Sequence, residues 1–144
     1  MYHKRQYKPI HPEKYAGDPT NIVMRSSWET KFAIWCDTNP SIVKWCSEEI
    51  VIPYISPVDN RAHRYFVDFK IQVKTKEGLR TYLIEIKPAA QTVPPKATQR
   101  KTKRYLTEVM TWGVNEAKWK AADRYAKDRG WEFKVLTEYE LGIK

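Results

Sequence analysis

A chain of 144 residues is long enough for one domain with a proper core. Six Trp and nine Tyr exclude a disordered polypeptide, and no stretch is apolar enough to span a membrane. Lys and Arg outnumber Asp and Glu by 26 to 17, a formal net charge of +9, which points to a polyanionic partner. Met1-Tyr2-His3-Lys4-Arg5 is basic but leads into no apolar run, so no secretory signal is expected. Cys36 and Cys46 lie in hydrophobic surroundings and fit buried free thiols in a reducing cytosol; with His3, His11 and His63 they make no zinc spacing.

Residues 1–24 contain Pro9, Pro12, Gly17 and Pro19 and read as an extended, basic N-terminal arm rather than a helix. The arm carries Lys4, Arg5, Lys8 and Lys14, and either lies along a nucleic-acid backbone or wraps the domain formed by residues 25–144. Ser26 with Glu29 is a capping box that opens the first helix. Trp28, Phe32 and Trp35 form its expected buried stripe, and Asn39-Pro40 ends it. Glu29 thus has a structural reading as the cap and a functional one as a carboxylate at the start of that helix. Two apolar runs follow, Ile42-Val43-Lys44-Trp45 and Ile50-Val51-Ile52-Pro53-Tyr54, the second a strand with Pro53 marking an edge or an end. Glu48 and Glu49 read as surface charges, with a role at the site as the lesser alternative. Ser56-Pro57-Val58-Asp59-Asn60 is a hairpin turn.

The next two strands carry the chemistry. Tyr65, Val67, Phe69, Ile71 and Val73 alternate onto one face, with Phe66, Asp68 and Lys70 on the other. Tyr82, Ile84 and Ile86 likewise oppose Leu83, Glu85 and Lys87. With a turn at Lys76-Glu77-Gly78, an antiparallel hairpin brings Asp68 near Glu85 and Lys87. Two carboxylates and an ammonium then converge, the chemistry of a metal-dependent phosphodiesterase. Asp68, Glu85 and the backbone carbonyl of Ile86 offer oxygens to a hard cation such as Mg²⁺, for which Mn²⁺ can substitute. Lys87 orients the attacking water or balances charge on phosphate. A cross-strand ion pair on a solvated face is the plain alternative. His63 and Arg64 precede the Asp68 strand; His63 contacts phosphate, serves as a secondary base, or simply starts the strand.

After Lys87 comes a loop through Pro94-Pro95, then a basic run of Lys96, Arg100, Lys101, Lys103 and Arg104, read as phosphate-binding because it directly follows the carboxylates. Residues 98–128 are expected to be helical, with Tyr105, Val109, Trp112, Glu116, Trp119 and Tyr125 on one stripe and Gly113 at a kink or a close packing point. Asn115 and Lys118 share a face of this helix, either reaching the site or exposed. Gly130 ends the helix, residues 131–136 form a strand, and Thr137 with Glu140 caps a final turn.

The resulting order, α-β-β-β-α-β, is that of a mixed β-sheet flanked by helices. With Glu29, Asp68 and Glu85-x-Lys87 it resembles the restriction-endonuclease-like core of the PD-(D/E)xK nucleases, departing where Val67 replaces the proline that usually precedes the aspartate. A longer likeness runs through Pro12-Glu13-Lys14-Tyr15, Gly17-Asp18, Arg25-Ser26-Ser27-Trp28-Glu29, Ile52-Pro53-Tyr54, His63-Arg64-Tyr65-Phe66-x-Asp68-Phe69, Glu85-Ile86-Lys87-Pro88, Lys103-Arg104-Tyr105, Val114-Asn115-x-Ala117-Lys118-Trp119 and Gly130-Trp131. These segments resemble the head completion nucleases of tailed bacteriophages; the endonuclease subunit of cut-and-paste transposons is a more distant likeness. The resemblance implies a metal-dependent endonuclease that processes the ends of packaged double-stranded DNA before tail joining. It implies a place in the host cytoplasm or on the phage head, with portal or neck proteins as partners, and raises Glu29 to a metal-site carboxylate. A non-catalytic protein that binds DNA or the portal and seals it, and a transposase or junction-resolving nuclease, are the alternatives.

Overall fold

The computed structural model describes residues 5–143. Its centre is a four-stranded sheet of order β3-β6-β7-β8, built from β3 (Ile42–Ser47), β6 (Phe69–Thr75), β7 (Gly78–Ile86) and β8 (Glu132–Leu136). Strands β1 (Arg5–Gln6) and β2 (Val23–Met24) pair with each other, as do β4 (Val51–Ile55) and β5 (Ala62–Phe66). β6 and β7 form the expected hairpin, with Thr75 opposite Gly78 and Gly78 at φ +115°, a conformation that glycine adopts freely. β8 runs parallel to β7, which requires a crossover, and helix α2 (Lys103–Asp128) supplies it.

The sheet separates two hydrophobic cores. On one face Phe69, Ile71 and Ile84 pack with Trp45 and with Phe32, Ala33 and Cys36 of helix α1 (Ser27–Thr38). On the other, Leu83 packs with Ile52, Tyr65 and Val67 and with Ala122 and Ala126 of α2. Glu85 lies on the Leu83 face. That face is covered rather than solvated, so an ion pair on an open sheet surface does not describe it.

The expected single strand over Tyr65–Val73 is two strands. β5 ends at Phe66 and β6 begins at Phe69, with Val67 and Asp68 between them. Periodicity does not reveal the break, because Tyr65, Val67, Phe69 and Ile71 are all buried and the alternation runs straight through it. The partner segment turns at the same level. The Val67 N–H donates to the Ile50 carbonyl and the Glu48 N–H to the Asp68 carbonyl, while Glu48 adopts φ +56°. β3–β4 and β5–β6 therefore form one ribbon that bends at Glu48–Ile50 and Val67–Asp68. The run at Ile42 is also a strand, so five strands, not three, separate the two long helices.

Both helical stripes differ from expectation. Phe32, Ala33, Cys36 and Asp37 are the buried residues of α1, while Trp35 is 46% exposed. α2 begins at Lys103, where the Thr102 hydroxyl accepts from the Tyr105 N–H, and not at residue 98. Its buried positions are Asn115, Ala122 and Ala126, and Val109 is exposed. Small alanines let the helix approach the sheet closely, and they contribute little to a pattern judged by large apolar side chains. The helix runs unbroken through Gly113, where an added Cβ would sit 3.5 Å from Pro57, an ordinary contact. The final turn, α3 (Glu138–Leu141), has the complete Thr137–Glu140 capping box.

Residues 5–24 wrap the domain. Tyr15, Ile22 and Met24 are core residues, and the Ala16 N–H donates to the Trp45 carbonyl. Lys14 Nζ donates to the Cys36, Asp37 and Asn39 carbonyls at 2.8, 3.0 and 2.9 Å, closing the C-terminal end of α1. Lys4, a basic residue of the same arm, lies outside the described residues. Cys36 and Cys46 are buried free thiols.

Candidate active site

Pairing of Phe69 with Ile84 sets Asp68, at the bend of the ribbon, beside Glu85 on β7. Asp68 Oδ2 accepts a 2.8 Å hydrogen bond from the Ile86 N–H. Glu85 is 5% exposed; its Oε1 accepts a 2.7 Å bond from the Tyr65 hydroxyl, and its Oε2 lies 3.5 Å from Lys87 Nζ. The Lys87 N–H is itself tied to the Leu136 carbonyl on β8. Burial and the neighbouring Glu85 push the Asp68 carboxyl well above the usual carboxylate range, and Glu29 adds to the rise; the Ile86 N–H opposes it. Asp68 and Glu85 are within hydrogen-bonding reach of each other.

Glu29 stands at the first turn of α1. Its backbone N–H donates to Ser26 Oγ at 3.2 Å, and its Oε2 faces the same hydroxyl at 3.4 Å. Oε1 is buried without a hydrogen-bond partner. Burial raises the Glu29 carboxyl and Glu48 raises it further, against the lowering effect of the Arg25 N–H and the Ser26 hydroxyl. Ser26 caps the helix through the Glu29 backbone N–H and not through the full capping box expected, so the cap does not account for the buried, unpartnered Oε1. Among the described residues no three His, Cys, Asp or Glu side chains lie close enough to enclose an ion. The tight set is Asp68 and Glu85, with Glu29 acting on it from a distance.

Two neighbours are not legible from the sequence. Alternation puts Tyr65 on the apolar face, and the bend of the ribbon lets its phenol reach Glu85. Glu48, expected as a surface charge, binds Arg25 at 2.7 Å and bears on Glu29. A tyrosine in an alternating strand carries no mark of where its polar end goes, and no local pattern signals the bend.

The remaining candidates lie farther out. Lys118 Nζ sits 5.5 Å from the Tyr65 ring centre and 5.9 Å from that of Tyr54, on the wall beside Glu85. Asn115 is buried on the same helix. His63 is hydrogen-bonded to Asp59 at 2.7 Å near the hairpin turn, and Arg64 lies over Phe66. Neither joins the carboxylates. Arg100, Lys101, Lys103 and Arg104 are all exposed. Lys101 lies over Tyr105, and Arg104 pairs with Glu108 at 3.2 Å. A cavity of about 510 Å³, lined by Gln91, Val93, Arg104, Trp112 and Asn115 among others, lies between the segment after Lys87 and the first turns of α2.

Residues 39–138 match the family described as TnsA-like endonuclease N terminal. That span includes Asp68, Glu85 and Lys87 and leaves out Glu29. The chain is 42% identical over 142 residues to the head completion nuclease of Enterobacteria phage T4, an alignment covering 96% of this chain and 93% of that protein. No solved structure matches.

Proposed function

The chain belongs to the TnsA-like endonuclease N-terminal family, with its restriction-endonuclease-like mixed α/β fold, and from that premise we propose that it is a Mg²⁺-dependent endodeoxyribonuclease. The observation that carries the reading is the pair Asp68 and Glu85, recessed side by side with Lys87 at 3.5 Å. Two carboxylates set together in a basic protein repel DNA phosphates unless a cation lies between. Their hard oxygen donors suit Mg²⁺ or Mn²⁺, which keep several waters and need few protein ligands. The Ile86 N–H points at Asp68, and the N–H and C=O of one residue in an extended strand leave by the same edge, so the Ile86 carbonyl is a third oxygen on that side.

A bound divalent cation supplies charge to the scissile phosphate and acidifies a water. Asp68 and Glu85 would hold it, and a cation there would relieve the repulsion that raises the Asp68 carboxyl. Lys87 Nζ orients the attacking water and stabilises charge on the phosphate oxygens as the ester bond breaks. Glu29, with its free Oε1, holds or accepts a proton from water on the α1 side. Arg100, Lys101, Lys103 and Arg104 carry the DNA backbone past the site, with Asn115 and Lys118 nearer the carboxylates. Identity to the T4 protein supports a role in finishing packaged DNA ends on the phage head before tail joining, next to portal or neck proteins.

The test is cleavage of linear and circular duplex DNA by the wild type and Lys87→Ala with Mg²⁺, Mn²⁺ or EDTA. Metal-dependent cutting of both forms by the wild type, absent in EDTA and reduced at least about 100-fold in Lys87→Ala, is expected. Cutting of linear DNA alone would replace endonuclease with end-dependent nuclease. DNA binding without turnover in any metal would favour the sealing role.

A further inference from the structure

We infer that Tyr65 is a positioning residue for this site: its hydroxyl fixes Oε1 of Glu85 so that Oε2 is left facing Lys87. The inference rests on the metal-nuclease reading above and adds a residue to it. Tyr65 is 4% exposed, and its hydroxyl donates to Glu85 at 2.7 Å across the junction between the β4–β5 ribbon and β7. The arrangement parallels that of Asp68, whose Oδ2 is held by the Ile86 N–H. Each carboxylate therefore has one oxygen tied to the scaffold. The Tyr65 ring is itself fixed, packed among Ile52, Val67 and Leu83 with the Lys118 ammonium 5.5 Å from its centre. A carboxylate with both oxygens free to rotate would lose orientation entropy on binding a cation, and one held by a rigid donor has already lost it.

The variant is Tyr65→Phe, which keeps the ring and removes the donor. Metal binding is read from Ca²⁺- and Mn²⁺-induced thermal stabilisation without DNA, and separately from the Mg²⁺ midpoint for cleavage. Both midpoints are expected to move 10- to 100-fold to higher metal, the usual cost of removing a ligand's hydrogen-bond partner. DNA affinity in EDTA should stay at the wild-type value. Installing 4-aminophenylalanine at position 65, which restores a donor, should bring the midpoints back to within about threefold of wild type. A Tyr65→Phe protein with lowered thermal stability but unchanged metal midpoints would make the residue merely structural and overturn the inference. If Tyr65→Phe does not fold, wild type labelled with ¹³Cζ-tyrosine decides: the Tyr65 signal should shift on Ca²⁺ addition along the stabilisation curve, and a signal that stays put overturns the inference. A wild type with no response to any metal would instead remove the nuclease reading, and the inference with it.

Discussion

Asp37 and Asp68 are aspartates withdrawn from water whose acidities move in opposite directions. Burial alone would raise both. At Asp37 that effect is outweighed by donors: the Tyr7 hydroxyl at 2.7 Å and the N–H groups of Ile10 and His11 at 2.6 and 2.9 Å hold the carboxyl below its usual range. At Asp68 burial is reinforced by Glu85 and Glu29, with only the Ile86 N–H in opposition, and the carboxyl rises. The two sites differ in the sign of their neighbours. Asp37 fastens the N-terminal segment to α1, and its burial is compensated within the protein. Asp68 carries an electrostatic cost that a bound cation would relieve.

Substitution should separate the two most sharply. Asp68→Ala should keep the fold and lower cleavage by about 10³-fold or more, since several kcal/mol of charge stabilisation depend on the ion it is proposed to hold. Retained cleavage in this variant would end the assignment of Asp68 as a ligand. Asp37→Ala strands Tyr7 and two backbone N–H groups in the interior and should cost about 3 kcal/mol of unfolding free energy, measured in urea. Once folded, it should cleave at the wild-type rate per active molecule. A loss of turnover without a loss of stability would place Asp37 in the site and erase the contrast.

Stability against pH in EDTA gives a second, smaller separation. The folded-state pKa of Asp37 is lowered, so its contribution is present above the unfolded value of about 3.9 and is lost as pH falls through the folded value. That of Asp68 is raised, so its contribution is present below the unfolded value and is lost as pH rises through the folded one. Thermal midpoints across pH should therefore fall at both ends. Asp68→Asn should flatten the upper limb alone, and saturating metal should do the same in the wild type. If the upper limb survives Asp68→Asn, its source is another group.

These contrasts follow from geometry that the sequence shows only in part. The alternation at Leu83–Lys87 puts Glu85 and Lys87 on one face, and the structure brings Asp68 to them. The turn at Lys76–Gly78 and the caps at Ser26 and Thr137 are readable because their signals are local. The bend at Val67–Asp68 is not, because it arises from a change of pairing partner while burial continues to alternate. The reach of Tyr65 to Glu85 and the donors around Asp37 are hidden for the same reason: each joins residues distant in sequence, with no periodic signature. The alanine face of α2 escapes notice because close packing there is achieved with the smallest side chains.

The smallest expected effects concern DNA binding without metal. Replacing Lys101, Lys103 and Arg104 together by serine should weaken binding to all sequences alike and make the plot of log K against log salt shallower by about 0.9 for each phosphate that is no longer neutralised. Arg104 is 90% exposed and its pair with Glu108 is a surface one, so the fold should be indifferent to the change. In the same EDTA assay, at a pH high enough to ionise Asp68, Asp68→Asn should strengthen DNA binding by up to roughly fivefold, the ~1 kcal/mol of one unit-charge contact in water. Asp37→Asn, buried behind α1 with its donors, should leave DNA affinity untouched. The gain from Asp68→Asn should vanish when Ca²⁺ is added, because the wild-type carboxylate is then neutralised by the ion. A gain that persists in Ca²⁺ would mean that the cation does not sit at Asp68, and the distinction between the two aspartates would then be one of exposure alone.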